Sequence, residues 1–304
     1  MIFLERIVIT GATGMIGSSL IKILKEKDVE IFAISRPNSK KSGNVPEGDN
    51  IRVIECDISN LSSLSSKLSD CDLFFHFAWT GTVGEARDNA DIQLNNIKYS
   101  LDAVKLAKDI GCSTFVGAGS QAEYGFVEEK LSNSTPVNPV TSYGIAKYSA
   151  GKLSRVLASQ LGIKHCWGRI LSVYGPGDNQ NTMVMSCINS ILNNNPFDTT
   201  KADQVWDYIY SDDCAQAFYD IAKKGHDGEV YTIGSGSEIP LKDYISAIRD
   251  VINPDFEIGF GNIDYYPNQV MYLSADISKL MQDTGFKPEI SFEEGIRRIV
   301  EDLK

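Results

Sequence analysis

The sequence predicts an α/β protein in which a doubly wound parallel sheet is accompanied by a smaller α/β lobe. Three observations support this fold class. Strand-like and helix-like segments alternate through the first two-thirds of the chain, which is the pattern of βαβ units. A glycine-rich turn joins the first strand directly to the first helix. After Tyr174 the alternation becomes irregular and rich in turns, which indicates a second structural unit.

Apolar runs define the strands, and apolar residues at helical spacing define the helices. The first strand contains Ile7-Val8-Ile9, for example, and the first helix has apolar residues at 16, 20, 21, 23 and 24. The predicted strands cover residues 7–10, 30–35, 52–55, 73–78, 114–117 and 165–171. The predicted helices cover residues 15–27, 61–68, 89–110 and 142–161.

The last third of the chain is predicted to form most of the smaller lobe. Turn-forming segments at 193–196 and 234–237 interrupt short elements there. The stretch 207–222 is predicted to return to the parallel sheet. We therefore expect one domain from residues 1–174 plus about 206–232, and a smaller lobe from about 175–205 plus 233–304.

Composition argues against several classes of protein. With 29 basic and 40 acidic residues the net charge is −11, which disfavours binding to nucleic acid or to an anionic membrane. The sequence contains neither a long apolar run typical of a transmembrane helix nor a signal-peptide pattern at its start. The six cysteines lack the spacing of a metal site or a disulfide framework. We expect a cytoplasmic protein with reduced, buried thiols and no metal.

The glycine-rich turn reads Gly11-Ala12-Thr13-Gly14-Met15-Ile16-Gly17. Its three glycines permit a tight turn, close approach of the backbone to a pyrophosphate, and close packing of the helix on the strand. The N-terminus of the following helix offers N–H donors and the positive end of its dipole. This context predicts a Rossmann-type domain that binds a dinucleotide.

The end of the second strand indicates which dinucleotide is preferred. An acidic residue there would bind the ribose hydroxyls of NAD. The chain instead has Arg36, followed by Lys40 and Lys41. Because Arg36 can hold a 2′-phosphate, NADP(H) is favoured, and NAD(H) remains possible. Asp57, after the third strand, is either an adenine contact or a helix cap.

Tyr143 and Lys147 lie four residues apart on a predicted helix, so their side chains share one face. A nearby ammonium stabilises phenolate and lowers the pKa of a tyrosine, which suits acid–base catalysis. Ser120 follows a predicted strand and should emerge at the sheet edge that carries the glycine turn. We therefore predict a catalytic group of Ser120, Tyr143 and Lys147.

With these motifs, the chain resembles the extended short-chain dehydrogenase/reductases, the NAD-dependent epimerase/dehydratase group that acts on nucleotide sugars. The resemblance implies that Tyr143 is the acid/base and that Ser120 orients the sugar oxygen. It also implies that Lys147 binds the nicotinamide ribose and tunes Tyr143, that the smaller lobe holds a nucleotide sugar, and that the protein is a homodimer. The further motifs that carry it are His76-Phe77-Ala78, Asn95-Asn96-Ile97, Val173-Tyr174-Gly175-Pro176-Gly177, Trp206-Asp207-Tyr208-Ile209-Tyr210 and Gly285-Phe286-Lys287-Pro288.

The resemblance and the motifs together give a full set of expected contacts. Trp79 either walls the sugar pocket or belongs to the core, and Arg87 is either an anion ligand or a surface residue. The expected cofactor-binding residues are Gly11, Thr13, Gly14, Met15, Ile16, Gly17, Arg36, Asp57, Ile58, Phe77, Ala78, Trp79, Asn96, Tyr143, Lys147 and Val173. The expected substrate-binding residues are Trp79, Arg87, Ser120, Gln121, Tyr143, Asn181, Trp206 and Tyr266.

Two absences narrow the reaction that the resemblance implies. Related 4,6-dehydratases carry Asp-Glu where this chain has Gln121-Ala122, and related enzymes that epimerise beside the carbonyl use Cys and His where it has Ala122 and Met183. Many relatives also have Arg at the positions of Trp206 and Tyr266, so the nucleotide and its diphosphate contacts are not defined.

The reaction that remains is hydride transfer at one carbon, as in CDP-abequose synthase-like 4-ketoreductases. Residues 260–304 in particular resemble these enzymes. We expect NADPH-dependent reduction of a nucleotide-linked 4-keto-6-deoxysugar at C4, in surface-polysaccharide biosynthesis. The alternatives are a 4-epimerase that retains its NAD and, more remotely, a non-catalytic dinucleotide-sensing regulator.

Overall fold

A parallel sheet of seven strands forms the centre of the protein in this computed structural model, which describes residues 4–267 and 269–304. In chain order the strands are β1 (Glu5–Thr10), β2 (Val29–Ser35), β3 (Ile51–Glu55), β4 (Leu73–His76), β5 (Thr114–Ser120), β6 (Lys164–Ile170), β7 (Ser172–Tyr174), β8 (Phe197–Thr199), β9 (Val205–Trp206), β10 (Tyr208–Tyr210), β11 (Val230–Ile233), β12 (Ile239–Pro240) and β13 (Ile258–Phe260). The helices are α1 (Met15–Lys25), α2 (Ala90–Asp109), α3 (Ser142–Leu161), α4 (Met183–Leu192), α5 (Ser211–Lys224), α6 (Leu241–Ile252), α7 (Ser278–Thr284) and α8 (Phe292–Asp302). Short 3₁₀ helices cover Ser42–Asn44, Ile58–Ser66, Gly84–Arg87 and Gln121–Glu123.

The order of the central sheet is β3-β2-β1-β4-β5-β6-β11, and each neighbouring pair is parallel. The chain starts at β1, adds β2 and β3 on one side, and then crosses to β4 on the other. This reversal beside β1 is the doubly wound topology, in which ligands bind at the carboxyl ends of the strands next to the crossover. The predicted fold class is confirmed.

Helices cover both faces of the sheet, and β1 shows why its sequence is continuously apolar. Ile7 and Ile9 pack in a core cluster with residues of α1 and α5, whereas Val8 packs in the cluster on the opposite face with residues of α2 and α3. All three side chains are fully buried. Because successive side chains of a strand point to opposite faces, a strand covered on both faces needs apolar residues throughout.

Most predicted strands and helices are confirmed within a few residues, and the short helix predicted over 61–68 is a 3₁₀ helix that begins three residues earlier. Residues Ile58–Ser66 form a 3₁₀ helix with non-helical backbone at Asn60. The hydroxyls of Ser63, Ser65 and Ser66 donate to carbonyl oxygens three residues earlier. Such bonds give the backbone a local alternative to α-helical hydrogen bonding.

The prediction that residues 207–222 return to the sheet is only partly right. Helix α5 does pack against α1 and contacts β5 and β6, but β10 pairs with β7 outside the central sheet. The seventh strand is β11, which pairs with β6. The chain therefore covers the sheet with a helix before it adds the last strand.

A separate apolar cluster lies on α4, α6 and α8 and includes Val184, Ile188, Ile245, Ile296 and Ile299. Such a cluster supports the predicted second lobe, whose bounds remain a prediction. All six cysteines are buried with free thiols, as predicted. Among the residues that the structure describes, no helix has the length and apolar character needed to cross a bilayer.

Candidate active site

The glycine turn lies at the carboxyl end of β1, pressed against the segment that follows β4. Gly11 has a φ of 72°, and a Cβ on it would lie 2.7 Å from Ala78 N. A Cβ on Gly17 would collide with Gly11 O, so α1 packs directly on the turn. Gly14 is the N-cap of α1 and provides no side-chain cap. No side chain at position 14 therefore accepts hydrogen bonds from the first N–H groups of α1. These N–H groups can instead bind an anion such as a pyrophosphate.

A cavity of about 550 Å³ begins at this turn and runs past the ends of β2 and β4. Its size is that of an ordinary ligand pocket. The predicted cofactor residues that line it are Gly11, Thr13, Gly14, Arg36, Ile58, Phe77, Ala78 and Trp79. The residues present therefore fit a dinucleotide, with the glycine turn for its pyrophosphate.

The remaining predicted cofactor residues lie outside the lining of this cavity: Met15, Ile16, Gly17, Asp57, Asn96, Tyr143, Lys147 and Val173. Ile16 and Val173 pack against the hydrophobic core beneath it. Their roles as cofactor contacts, and that of Met15, stay predictions.

Two of these residues use their side chains for other purposes. Asn96 accepts a hydrogen bond from Thr80 N at 3.0 Å and donates to Thr80 O at 2.8 Å, so it holds the loop after β4 rather than presenting its amide to the cavity. Asp57 caps the following 3₁₀ helix, because its carboxylate accepts from Ser59 N and Ser59 Oγ. Of the two alternatives for Asp57, the structure therefore favours the helix cap.

Arg36 and Lys41 are exposed and both line the cavity at the end of β2. The charge of Arg36 contributes to the lowered pKa of Asp57, although hydrogen bonds from Ser59 are the larger cause. The two cations stand where an acidic residue would contact the ribose of NAD. Their side chains give this wall of the cavity a positive charge, which favours the binding of a phosphate group.

Ser120 ends β5, and Tyr143 lies in the first turn of α3. Tyr143 is 8% exposed, and burial raises the pKa of its phenol. The neighbouring Ser120 side chain and the positive charge of Arg87 act against this rise. The structure therefore brings Ser120 and Tyr143 together, with the phenol protonated at neutral pH.

Lys147 is buried, and its Nζ donates to Ala118 O at 2.7 Å. Burial lowers the pKa of Lys147 to about 7, while the negative charge of Glu123 acts in the opposite direction. Lys147 is not among the groups that shift the pKa of Tyr143 here, so its predicted tuning of that phenol stays a prediction. Lys147 Nζ lies 5.8 Å from the centre of the phenol ring, and its hydrogen bond is directed to β5.

The positive charge of Arg87 acts to lower the pKa of the Tyr143 phenol. Its guanidinium carbon lies 4.0 Å from the centre of the Tyr143 ring, and Nη1 donates to Thr82 O at 2.9 Å. Its charge also lowers the pKa of Lys147. The contact with the Tyr143 ring places Arg87 at the candidate site, and its role as an anion ligand stays a prediction.

Trp79 joins the cavity to the Ser120–Tyr143–Lys147 group. Its ring packs edge-to-face with Tyr143, and Lys147 Nζ lies 3.8 Å from its centre. Trp79 Nε1 donates to Gln93 Oε1, and Gln93 Nε2 donates to Gly81 O and Ala86 O. Trp79 is therefore a wall of the cavity, held by Gln93, a buried residue that the sequence analysis missed.

The other predicted substrate residues are more dispersed. Gln121 directly follows Ser120 and is half-buried. Trp206 Nε1 donates to Ser172 Oγ at 2.8 Å, and its ring packs against apolar clusters, so the structure gives it a packing role. Asn181 and Tyr266 are exposed, and their roles stay predictions.

Glu123 was also missed, although Ser120 and Glu123 form the Ser-x-x-Glu pattern of a capping box. The structure contains that box at the 3₁₀ turn after β5.

As for metals, no group of three His, Cys, Asp or Glu side chains within 4–267 and 269–304 has the arrangement of a binding site.

Comparison with known proteins identifies the family. The profile of the NAD dependent epimerase/dehydratase family matches residues 7–234. The dTDP-4-dehydro-6-deoxyglucose reductase of Escherichia coli is 27% identical, over 98% of this chain and 97% of the relative. CDP-abequose synthase of Salmonella typhimurium is 26% identical, over 98% of each protein.

Among solved structures, the UDP-N-acetylglucosamine 4-epimerase from Methanobrevibacter ruminantium M1, in complex with UDP-N-acetylmuramic acid, matches with a TM-score of 0.89 at 25% identity. The match covers 99% of this chain and 98% of the epimerase. The resemblance inferred from the motifs is thus confirmed at the level of sequence and of fold. The chain belongs to the NAD dependent epimerase/dehydratase family.

Proposed function

We propose that this protein uses NADPH to reduce a nucleotide-linked 4-keto-6-deoxysugar at C4, in polysaccharide biosynthesis. The observation that carries the proposal is the grouping of Ser120, Tyr143 and Lys147 at the carboxyl end of β5, joined by Trp79 to the cleft of the glycine turn. The name of the Escherichia coli relative describes a reductase of a 4-keto-6-deoxysugar, which supports the same reaction here.

In this reaction a bound nicotinamide dinucleotide supplies the hydride. Tyr143, which burial keeps protonated, donates its proton to the sugar oxygen as negative charge develops there. Ser120 donates a hydrogen bond to the same oxygen. Arg87 stabilises the phenolate that remains, and Lys147, with a pKa of about 7, can return a proton to it at neutral pH.

A substrate screen tests the proposal. We expect at least one 4-keto-6-deoxysugar, presented in turn as its CDP, GDP, UDP and dTDP derivative, to cause stoichiometric loss of NADPH absorbance. The Tyr143→Phe protein serves as the control, because it should bind the same ligands without turnover. Failure of every derivative, with a folded protein that binds NADPH, would contradict the assignment of the reduced carbon or of the sugar class.

A nucleotide-sugar 4-epimerase is the second candidate, and the solved 4-epimerase with the same fold supports it. Such an enzyme would use Tyr143 and Ser120 in the same way but would keep its NAD between oxidation and reduction. The purified protein separates the two functions. Tightly held NAD, with turnover that needs no added cofactor, would replace the reductase proposal with the epimerase.

We further propose that the protein forms a homodimer through α2 and α3. Helix α3 exposes Ile145, Leu153 and Val156 to the extent of about half of each side chain, and their spacing places them within one third of the helix circumference. Leu94 of the neighbouring α2 is 65% exposed. Such an apolar face suits a second copy of the same surface.

The dimer proposal predicts that Val156→Glu yields a monomer, because the interface would then bury an unpaired carboxylate. The measurement is molar mass by light scattering or sedimentation. Val53→Glu is the matched control, since Val53 is 54% exposed and Val156 is 56% exposed. A wild-type monomer, or two variants of equal mass, would contradict the proposal.

A further inference from the structure

Directly behind the Ser120–Tyr143–Lys147 group, the structure buries an ion pair that the reaction described above does not use. Glu123 is 1% exposed and Arg169 is 4% exposed. Arg169 Nε lies 2.7 Å from Glu123 Oε2. Burying two charges is costly, and replacing such a pair with apolar residues is often neutral for stability. A contribution to the site would therefore explain the pair better than stability alone.

The other carboxylate oxygen fixes the backbone of Ser120. Glu123 Oε1 accepts from Ser120 N at 2.9 Å and from Trp167 Nε1 at 2.9 Å. Ser120 Oγ in turn accepts from Ala122 N at 3.2 Å, which completes the capping box. The close approach of Glu123 and Trp167 to the end of β5 requires glycine at position 119, because a Cβ there would collide with Trp167 Nε1 and Glu123 Oε1. The end of β5 is thus held at both the backbone and the side chain of Ser120.

The charge of Glu123 also reaches the other two residues of the group. It acts to raise the pKa of Tyr143 and the pKa of Lys147. Both directions follow from one cause, since a nearby negative charge disfavours phenolate and favours ammonium. Lys147 is further influenced by Arg87, from the segment before α2, and lies near His76 at the end of β4, which burial keeps neutral.

We propose that Glu123 is a positioning residue for the reaction: its carboxylate, paired with Arg169, fixes Ser120 and places a negative charge behind Tyr143 and Lys147. This inference rests on the proposed function for the identity of the reacting residues. The positions and charges themselves can be measured without substrate.

Two variants separate the two parts of this role. Glu123→Gln keeps the length of the side chain and removes its charge. Glu123→Asp keeps the charge and withdraws the oxygen from Ser120 N by one methylene. If removing the charge leaves Arg169 too costly to bury, the Glu123→Gln/Arg169→Gln double variant restores a neutral, hydrogen-bonded pair.

The pKa of Lys147 measures the effect of the Glu123 charge, and this measurement needs no catalytic turnover. In protein labelled with ¹³C at lysine Cε, and assigned with Lys147→Met, we expect Glu123→Gln to lower the pKa of Lys147 from its wild-type value. The double variant should move it back, because the charge of Arg169 is removed as well. Glu123→Asp should leave it nearly unchanged. An unaltered Lys147 titration in folded Glu123→Gln protein would overturn the proposal.

Steady-state kinetics test whether Glu123 positions Ser120. Glu123→Asp should lower kcat about tenfold or more with a change in KM within about threefold, because small misplacements of a catalytic group are costly. In a Ser120→Ala background the same change should cost much less, since the residue acts through Ser120. Equal losses in both backgrounds, or no loss in either, would overturn the positioning role. If Tyr143→Phe proves active, the proposed function fails, but the Lys147 titration still tests the role of the Glu123 charge.

Discussion

Replacing Tyr143 with phenylalanine should lower kcat about 10³-fold, because a positioned acid–base group contributes roughly 10²–10⁴-fold to such a step. The variant removes only the phenol oxygen. The ring keeps its contact with Arg87, whose guanidinium carbon lies 4.0 Å from the ring centre, and its edge-to-face contact with Trp79. Cofactor affinity should therefore change little. Steady-state turnover and NADPH fluorescence titration measure the two quantities.

The same helix offers a matched control. Tyr148 and Lys152 repeat the Tyr-x-x-x-Lys spacing, with Lys152 Nζ 5.6 Å from the centre of the Tyr148 ring. Tyr148 is half-buried, Lys152 is exposed, and both line a small cavity whose lining does not include Ser120. We expect Tyr148→Phe to leave kcat within about twofold of the wild type. Near-normal turnover in Tyr143→Phe, or an equal loss in both variants, would remove Tyr143 from the proposed mechanism.

The repeated spacing shows what the sequence could determine about the site. Tyr143 was distinguished by its context, namely a strand that ends in Ser120 and a glycine turn at the first strand. These signals are local, and the parallel topology brings them to one edge of the sheet. The continuous apolar run of β1 and the capping residues of α2 and α3 are local signals of the same kind.

The contacts that the sequence did not determine depend on packing between distant segments. Arg87 lies in a 3₁₀ segment before α2, and its position over Tyr143 depends on the packing of that segment against α3. The direction of Lys147 depends on an acceptor, Ala118 O, that lies 29 residues earlier. Helical spacing placed Lys147 on the same face as Tyr143, but it could not show that the ammonium hydrogen-bonds to β5.

Glu123 illustrates the difference most clearly. The Ser-x-x-Glu pattern in the sequence was sufficient to predict a capping box. Its partners Trp167 and Arg169 come from β6, and that strand pairs with β5 in the register Gly117↔Trp167 and Gly119↔Arg169. The buried ion pair therefore follows from strand register, which a local pattern does not provide.

Replacing Arg36 with alanine should weaken NADPH about 10- to 100-fold while changing NADH affinity within about threefold. A hydrogen-bonded charged group contributes roughly 1.5–3 kcal/mol, and about 1.4 kcal/mol corresponds to a factor of ten. Arg36 lines the cavity at the end of β2, and only the phosphorylated dinucleotide would present a phosphate there. The measurement is the dissociation constant of each cofactor for the wild type and the variant.

Two neighbouring lysines sharpen this test. Lys41 lines the same cavity, so Arg36→Ala/Lys41→Ala should lose more NADPH affinity than Arg36→Ala alone. Lys40 is also exposed but does not line the cavity, and Lys40→Ala is therefore the control for a general loss of positive charge. If Arg36→Ala weakens NADPH and NADH equally, no phosphate is bound at this wall. The enzyme would then use NAD(H), and the case for a retained-NAD 4-epimerase would become the stronger one.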